Sequence, residues 1–205
     1  MSEVIAGRAW SVLEEVRMRS MDPYVPLVRS DSLKVLLDTA LSVEPKRILE
    51  IGTAVGYSSS LLALTCERAT VDTVDMDIER VDRARQLWSE LNIADRICSH
   101  IGDVREIIDS VIEGNRYDLL FMDGPKSAYL PLLVKILPCM NRGGAIVSDN
   151  VGYLGLVRGD SYPPHKHRTI VRNMREYLKF IHSHDRLDTF VNYDLGDGIA
   201  VSRII

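Results

Sequence analysis

Cysteine is scarce in this chain: Cys66, Cys98 and Cys139 are the only three in 205 residues, and they stand far apart. An odd, scattered set suggests neither a disulfide framework nor a zinc ribbon, so a reduced, cytoplasmic setting is expected. No apolar run approaches the roughly 20 residues that cross a bilayer. The opening MSEVIAGRAW lacks the basic segment and apolar stretch of a secretory signal. No membrane association is therefore expected. Basic residues are not in excess either: the net charge is −4. That balance argues against non-specific nucleic-acid binding by the whole surface, while leaving room for a local basic patch. Repeats, low-complexity tracts and flexible linkers are absent as well. What is present is an ordinary globular composition, 46% hydrophobic and 26% charged, in a length that suits one domain with a sizeable core.

Two helical patterns open the chain. Ile5, Ala9, Val12, Leu13 and Val16 recur at helical spacing, as do Leu33, Leu36, Leu37, Ala40 and Leu41. Between them the two prolines of MDPYVP mark a break. From residue 47 short apolar runs alternate with helices. Strands are expected over 47–51, 71–75, 97–101, 118–122 and 145–148, with helices over 58–66, 78–91, 104–112 and 127–137. Such alternation builds a parallel sheet with helices on both faces. A helix near 169–182 follows, then strands over 189–194 and 199–203 joined through LGDG, whose Asp197-Gly198 pair signals an antiparallel hairpin. The expectation is a single α/β, Rossmann-like domain, with N-terminal helices over 1–44 and a core over 45–205. Its sheet should be mostly parallel, with one antiparallel strand at its end.

The segment from Arg47 to Ser58, RILEIGTAVGYS, runs from a buried strand through a glycine turn into a helix. Gly52 permits a sharp turn and Gly56 a close approach to a ligand. A dinucleotide fingerprint needs G-x-G-x-x-G, whereas these glycines are separated by three residues and Glu50 precedes them. An acid beside the loop repels a pyrophosphate but suits a cationic ligand, such as the amino group of S-adenosylmethionine. Asp75 ends the next strand, 23 residues beyond Gly52, where a carboxylate can accept from both ribose hydroxyls. Asp103, after the third strand, is a candidate border to the adenine, although Gly-Asp is also an ordinary turn. A plain strand–helix turn is the competing reading of the loop, and a nicotinamide-dependent dehydrogenase is disfavoured by the spacing.

Two more acids end strands: Asp123 closes LLFMD, and Asp149 closes IVSD with Asn150 next. Open α/β sheets bind ligands at the carboxyl ends of their strands, so Glu50, Asp75, Asp123 and Asp149 should face one crevice. Gathering carboxylates there is costly unless a positive charge joins them. The sulfonium of the cofactor is one candidate, a divalent cation the other. Two carboxylates and an amide carbonyl are hard oxygen donors that match Mg²⁺, and no Cys or His lies near them to suggest zinc. Lys126, three residues past Asp123, sits at the expected start of a helix, where the dipole disfavours it. Its functional reading is a general base, with an adjacent metal cation favouring the neutral, proton-accepting form. A polar turn and a solvated lysine are the bland alternatives.

At these residues the sequence resembles the metal-dependent class I O-methyltransferases, the group of catechol and caffeoyl-CoA O-methyltransferases and many small bacterial relatives. The matching segments are LEIGTAVGYSS, TVDMD, FMDGPKSAY, GGAIVSDNV and DLGDGIAVSRI. The resemblance implies a seven-stranded sheet with its last strand antiparallel. It also implies metal ligation by Asp123, Asp149 and Asn150, catalysis by Lys126, and cofactor contacts from Glu50, Gly52, Ser58 and Asp75. Gly124-Pro125, between Asp123 and Lys126, departs from many relatives. The implied reaction is in-line methyl transfer to a hydroxyl that a metal orients and ionises.

The acceptor is less legible. The region 153–168 should recognise it. Arg158, His165, Lys166, His167 and Arg168 lie there, with Arg172, Arg175 and Lys179 on the helix beyond. The histidines read better as surface residues than as ligands. A solvated face is one reading of the region and a phosphate-contacting edge another. Bacterial relatives that resemble the chain methylate 5-hydroxyuridine at the tRNA wobble position, so two acceptors stay open: a small catechol-like phenol or tRNA. A non-catalytic cofactor-binding module is a third reading, and the exposed side of the N-terminal helices is a candidate homodimer interface.

Overall fold

The computed structural model describes residues 7–19, 27–159 and 163–205. Helices α1 (Gly7–Arg19) and α2 (Ser30–Val43) precede an alternating core. That core runs β1 (Arg47–Ile51), α3 (Tyr57–Thr65), β2 (Thr70–Asp75), α4 (Ile78–Glu90), β3 (Ile97–Ile101), α5 (Val104–Ile112), β4 (Tyr117–Met122), α6 (Tyr129–Ile136) and β5 (Met140–Asp149). It closes with α7 (Arg168–Ser183), β6 (Leu187–Asn192) and β7 (Ile199–Ile204). The seven strands form one sheet in the order β3-β2-β1-β4-β5-β7-β6. Six run the same way, and β7, inserted between β5 and β6, is antiparallel to both neighbours. This is the expected Rossmann-like α/β sheet. Ile5 and MDPYVP lie outside the described residues.

Side-chain alternation along the strands divides the core in two. Ile48, Leu119, Phe121, Ala145 and Val147 face one layer with α1–α4. Leu49, Leu120, Met122 and Ile146 face the other, against α5–α7. Central strands covered on both faces read as continuous apolar runs, which is why LLFM and AIV were legible. Helix α4 buries Val81, Ala84, Leu87 and Trp88, and Asp77 caps it by accepting the Arg80 N–H at 3.1 Å.

Element ends shifted where polar residues hide pairing. Strand β5 begins at Met140 rather than 145, because Met140 pairs with Tyr117 before a register shift resumes the ladder at Leu119–Ala145. Strand β6 begins two residues earlier than expected because Leu187 pairs with Ile204. Among the described residues no helix is long and apolar enough to cross a membrane.

Phe121 is fully buried on a central strand and Phe190 is 67% exposed on the edge strand β6. Phe121→Ala should therefore cost about 3–5 kcal/mol in urea unfolding. Phe190→Ala should stay within about 0.5 kcal/mol.

Candidate active site

Strand order reverses between β1 and β4, the position where open α/β sheets form a ligand crevice beyond their carboxyl ends. The glycine loop turns there. Gly52 has φ +107°, and a Cβ on it would lie 2.6 Å from the Asp123 carbonyl oxygen. Only glycine lets the end of β1 lie against the end of β4. Asp75 braces the same loop: its Oδ2 accepts the Ala54 N–H at 2.8 Å and its Oδ1 the Asp77 N–H at 3.0 Å. The carboxylate keeps lone pairs for further donors.

Glu50 is fully buried beneath the loop. Its two oxygens accept the hydroxyls of Ser58 at 2.5 Å and Thr73 at 2.6 Å. Burial pushes its carboxyl up to about 7, Asp123 adds to the rise, and the two hydroxyl bonds oppose it. Ser58, expected among the cofactor contacts, thus commits its proton to Glu50. Asp103 caps α5 and is clamped by Arg105, whose hydrogen bonds hold its carboxyl near 2. It also lines the cavity beneath Asp75.

Asp123, Lys126, Asp149 and Asn150 line one cavity of about 390 Å³. Asp149 is buried, and its Oδ1 accepts the Ser32 hydroxyl and the Asn150 N–H, both at 2.9 Å. Burial and then the charge of Asp123 push its carboxyl above the usual range, opposed by Ser32, the Asn150 N–H and Lys126. Asn150 adopts φ +55°, a conformation asparagine tolerates better than most residues. Two mutually repelling carboxylates and an amide form a hard-oxygen set, so these residues fit a divalent cation. Lys126 sits in a 3-10 turn (Lys126–Ala128) before α6 rather than in the helix itself. Its Nζ donates to Asp123 Oδ1 at 3.0 Å and to the Tyr129 hydroxyl at 2.8 Å.

A second cavity, about 340 Å³, lies under Asp75, Met76 and Asp103. Gly52 and Arg80 form walls of both cavities. A ligand in one therefore adjoins a ligand in the other.

Four residues of the site were not anticipated. Tyr129 accepts from Lys126, and its hydroxyl hydrogen faces the carbonyls of Met122 at 2.7 Å and Asp149 at 3.0 Å, tying the ends of β4 and β5. Its spacing from Lys126, three residues, was the available signal. Ser32 and Arg80 had none. In the sequence, Asp197 signals only a turn. Its carboxylate accepts the N–H groups of Leu154 at 2.6 Å and Gly155 at 3.2 Å, and its carbonyl accepts that of Gly152 at 2.7 Å. It thereby holds a loop in which Tyr153 and Leu154 both have positive φ. Asp31 and Ser32, at the start of α2, grip the Gly196 N–H and Asp149 respectively. Of the two histidines, His167 packs on Tyr153 and shares a 3.1 Å hydrogen bond with its hydroxyl.

The profile of the O-methyltransferase family matches residues 7–205. The chain belongs to the O-methyltransferase family. A protein of Mycobacterium tuberculosis named a probable O-methyltransferase is 29% identical over 167 residues, covering 77% of this chain and 72% of its own. A caffeoyl-CoA O-methyltransferase of Stellaria longipes is 25% identical over 171 residues, covering 79% and 69%. In fold, the chain resembles an O-methyltransferase from Bacillus cereus solved in complex with SAH. The TM-score is 0.83 at 24% identity, over 95% of this chain and 91% of that one.

Two predictions follow from this geometry. A carboxyl raised from 4.5 to about 7 on folding binds its proton more tightly in the native state. Glu50 should therefore make the ligand-free protein less stable as pH rises from 4.5 to 7, by on the order of 3 kcal/mol. Urea titrations across that range should show the fall, and Glu50→Gln should flatten it. Asp197→Ala should cost about 1–3 kcal/mol and raise the KM for the acceptor more than that for the methyl donor.

Proposed function

We propose that this chain is an S-adenosylmethionine-dependent, divalent-metal-assisted O-methyltransferase acting on a hydroxyl with an adjacent oxygen, as in a catechol-like small molecule. The observation that carries the reading is the pair of adjoining cavities, one beneath Asp75 and one lined by Asp123, Lys126, Asp149 and Asn150. Donor and acceptor sites share the wall at Gly52. The SAH held by the Bacillus cereus relative and the family match support S-adenosylmethionine as the donor, which when bound presents an electrophilic methyl group on a sulfonium.

The loop at Gly52 and Ala54 would receive the amino end of the donor, and Asp75 the ribose hydroxyls, with Glu50 buried beneath the loop and acting on the ligand only through its charge. Mg²⁺ bound to Asp123, Asp149 and Asn150 would act as a Lewis acid that orients and acidifies the acceptor oxygens. The chain's own part is geometry and proton transfer. With a cation beside it, Lys126 would release its own proton to solvent, and the neutral Nζ would then take the acceptor proton, with Asp123 stabilising the ammonium that results. Tyr129 keeps that amine in place from below, while Ser32 and the Asn150 N–H fix the orientation of Asp149. The loop held by Asp197 sets Tyr153 and Leu154 along the wall of the acceptor cavity.

A tRNA wobble 5-hydroxyuridine is the second acceptor to test. Its support is a basic groove of about 530 Å³ along α7, lined by Arg168, Arg172, Arg175 and Lys179. Transfer of labelled methyl groups to total tRNA and to a dihydroxyphenol panel, with and without EDTA, separates the two. Turnover should vanish with EDTA and return with Mg²⁺. Lys126→Met should lower kcat/KM by about 10²–10⁴. Asp149→Ala should abolish transfer, and unchanged transfer in that variant would overturn the metal-assisted reading.

A further inference from the structure

A second set of ligating side chains lies half a strand back from the crevice, on the edge of the sheet. Asp72 on β2 pairs with Cys98 on β3, and His100 follows two residues on. Side chains at that register share one face. The carboxylate oxygen, thiol sulfur and ring nitrogen all lie within 4.8 Å of one another. Asp72 Oδ1 is 3.2 Å from His100 Nε2. Its other oxygen, Oδ2, accepts from Arg47 Nε at 2.8 Å and from the Tyr117 hydroxyl at 3.1 Å. One oxygen is thus fixed by partners on the inner side, and the other faces the histidine and the cysteine. A carboxylate ligand oriented by donors on its second oxygen is the usual support of a metal site. Asp72 is buried, His100 half-buried and Cys98 exposed, so an ion can enter from solvent.

We propose that Asp72, Cys98 and His100 bind a borderline-soft divalent cation, with Zn²⁺ the best match, and that water completes the coordination. The donor set is one each of oxygen, sulfur and nitrogen, the ligands zinc accepts in tetrahedral sites. Zinc bonds of about 2.0–2.3 Å put tetrahedral ligand atoms roughly 3.3–3.8 Å apart, a closure that side-chain rotation of Cys98 and His100 supplies. The ion replaces the His100–Asp72 hydrogen bond, the ring proton moving through solvent from Nε2 to Nδ1, and the thiol of Cys98 releases its proton to solvent as the metal–sulfur bond forms. Carboxylate and thiolate then balance the two positive charges, while the Arg47 guanidinium stays on the far oxygen. Such an ion fastens the edge strand β3 to β2. It is chemically distinct from the hard-oxygen set at Asp123, Asp149 and Asn150.

Cobalt(II) titration of the chelator-treated protein, followed by absorption, is the test. Thiolate-bound cobalt gives an intense near-ultraviolet charge-transfer band, which an all-oxygen site does not. One equivalent should raise this band, zinc should bleach it, and excess magnesium should leave it unchanged. Cys98→Ser should remove it and His100→Ala should weaken cobalt binding by tenfold or more, whereas Cys66→Ser and Cys139→Ser should retain the signal. Zinc should also raise the melting temperature of the parent protein but not that of Cys98→Ser. Absence of the band in the parent protein, or its persistence in Cys98→Ser, overturns the proposal.

Discussion

Four carboxylates gathered at the carboxyl end of one sheet are the constraint on which the site depends. Glu50, Asp75, Asp123 and Asp149 end or nearly end four strands that run the same way. Parallel strands deliver their ends to one side, so the topology imposes the crowding. Each acid is accommodated differently. Two hydroxyls hold Glu50 in the dry interior. Asp75 accepts two backbone N–H groups, and Asp123 pairs with Lys126. Asp149 accepts the Ser32 hydroxyl and the Asn150 N–H, yet burial and the charge of Asp123 still hold its carboxyl above the usual range, as burial does for Glu50. A site arranged this way gains stability from a cation, which fits cationic ligands better than phosphates.

The same crowding explains why the surroundings are so heavily braced. The loop that follows Asp149 contains three non-glycine residues at positive φ, namely Asn150, Tyr153 and Leu154. Such backbone persists only where neighbours over-determine it. Asp197 supplies those neighbours from the β6–β7 turn, and the start of α2 grips that turn through Asp31. Gly152 and Gly198 have no room for a side chain where the two segments meet. Rigid placement of the loop after β5 is therefore built from three distant parts of the chain. Beneath them, Tyr129 packs edge-on against Tyr177 of α7, with ring centroids 5.3 Å apart. This buttress fixes the amine of Lys126 from the opposite layer.

The alternation of apolar runs and helical stripes made most of the fold legible, because buried parallel strands and amphipathic helices differ in period. Boundaries failed where pairing passes through polar residues, as at Asn141–Gly144 before the bulge into Ala145. Residues at strand ends were equally legible as site candidates, since topology alone sends them to the crevice. Tyr129 shared a helical face with Lys126 and was within reach of such reasoning. Ser32 was not: it lies 117 residues from the Asp149 it touches, and serine near a helix start ordinarily reads as a cap.

By itself, the sequence determined the class of sheet, the glycine loop, and the acids that close β1, β2, β4 and β5. These follow from local period, glycine spacing and chain direction. Only the tertiary structure decided how those acids are balanced against one another. It set Ser58 on Glu50, Arg105 on Asp103, Ser32 on Asp149 and Asp197 on the loop after β5. The Arg105–Asp103 clamp is local, but the contacts of Ser32 and Asp197 span 117 and 43 residues and exist only because packing brings those segments together. Strand register likewise put Asp72, Cys98 and His100 on one face, a proximity that spacing along the chain does not express.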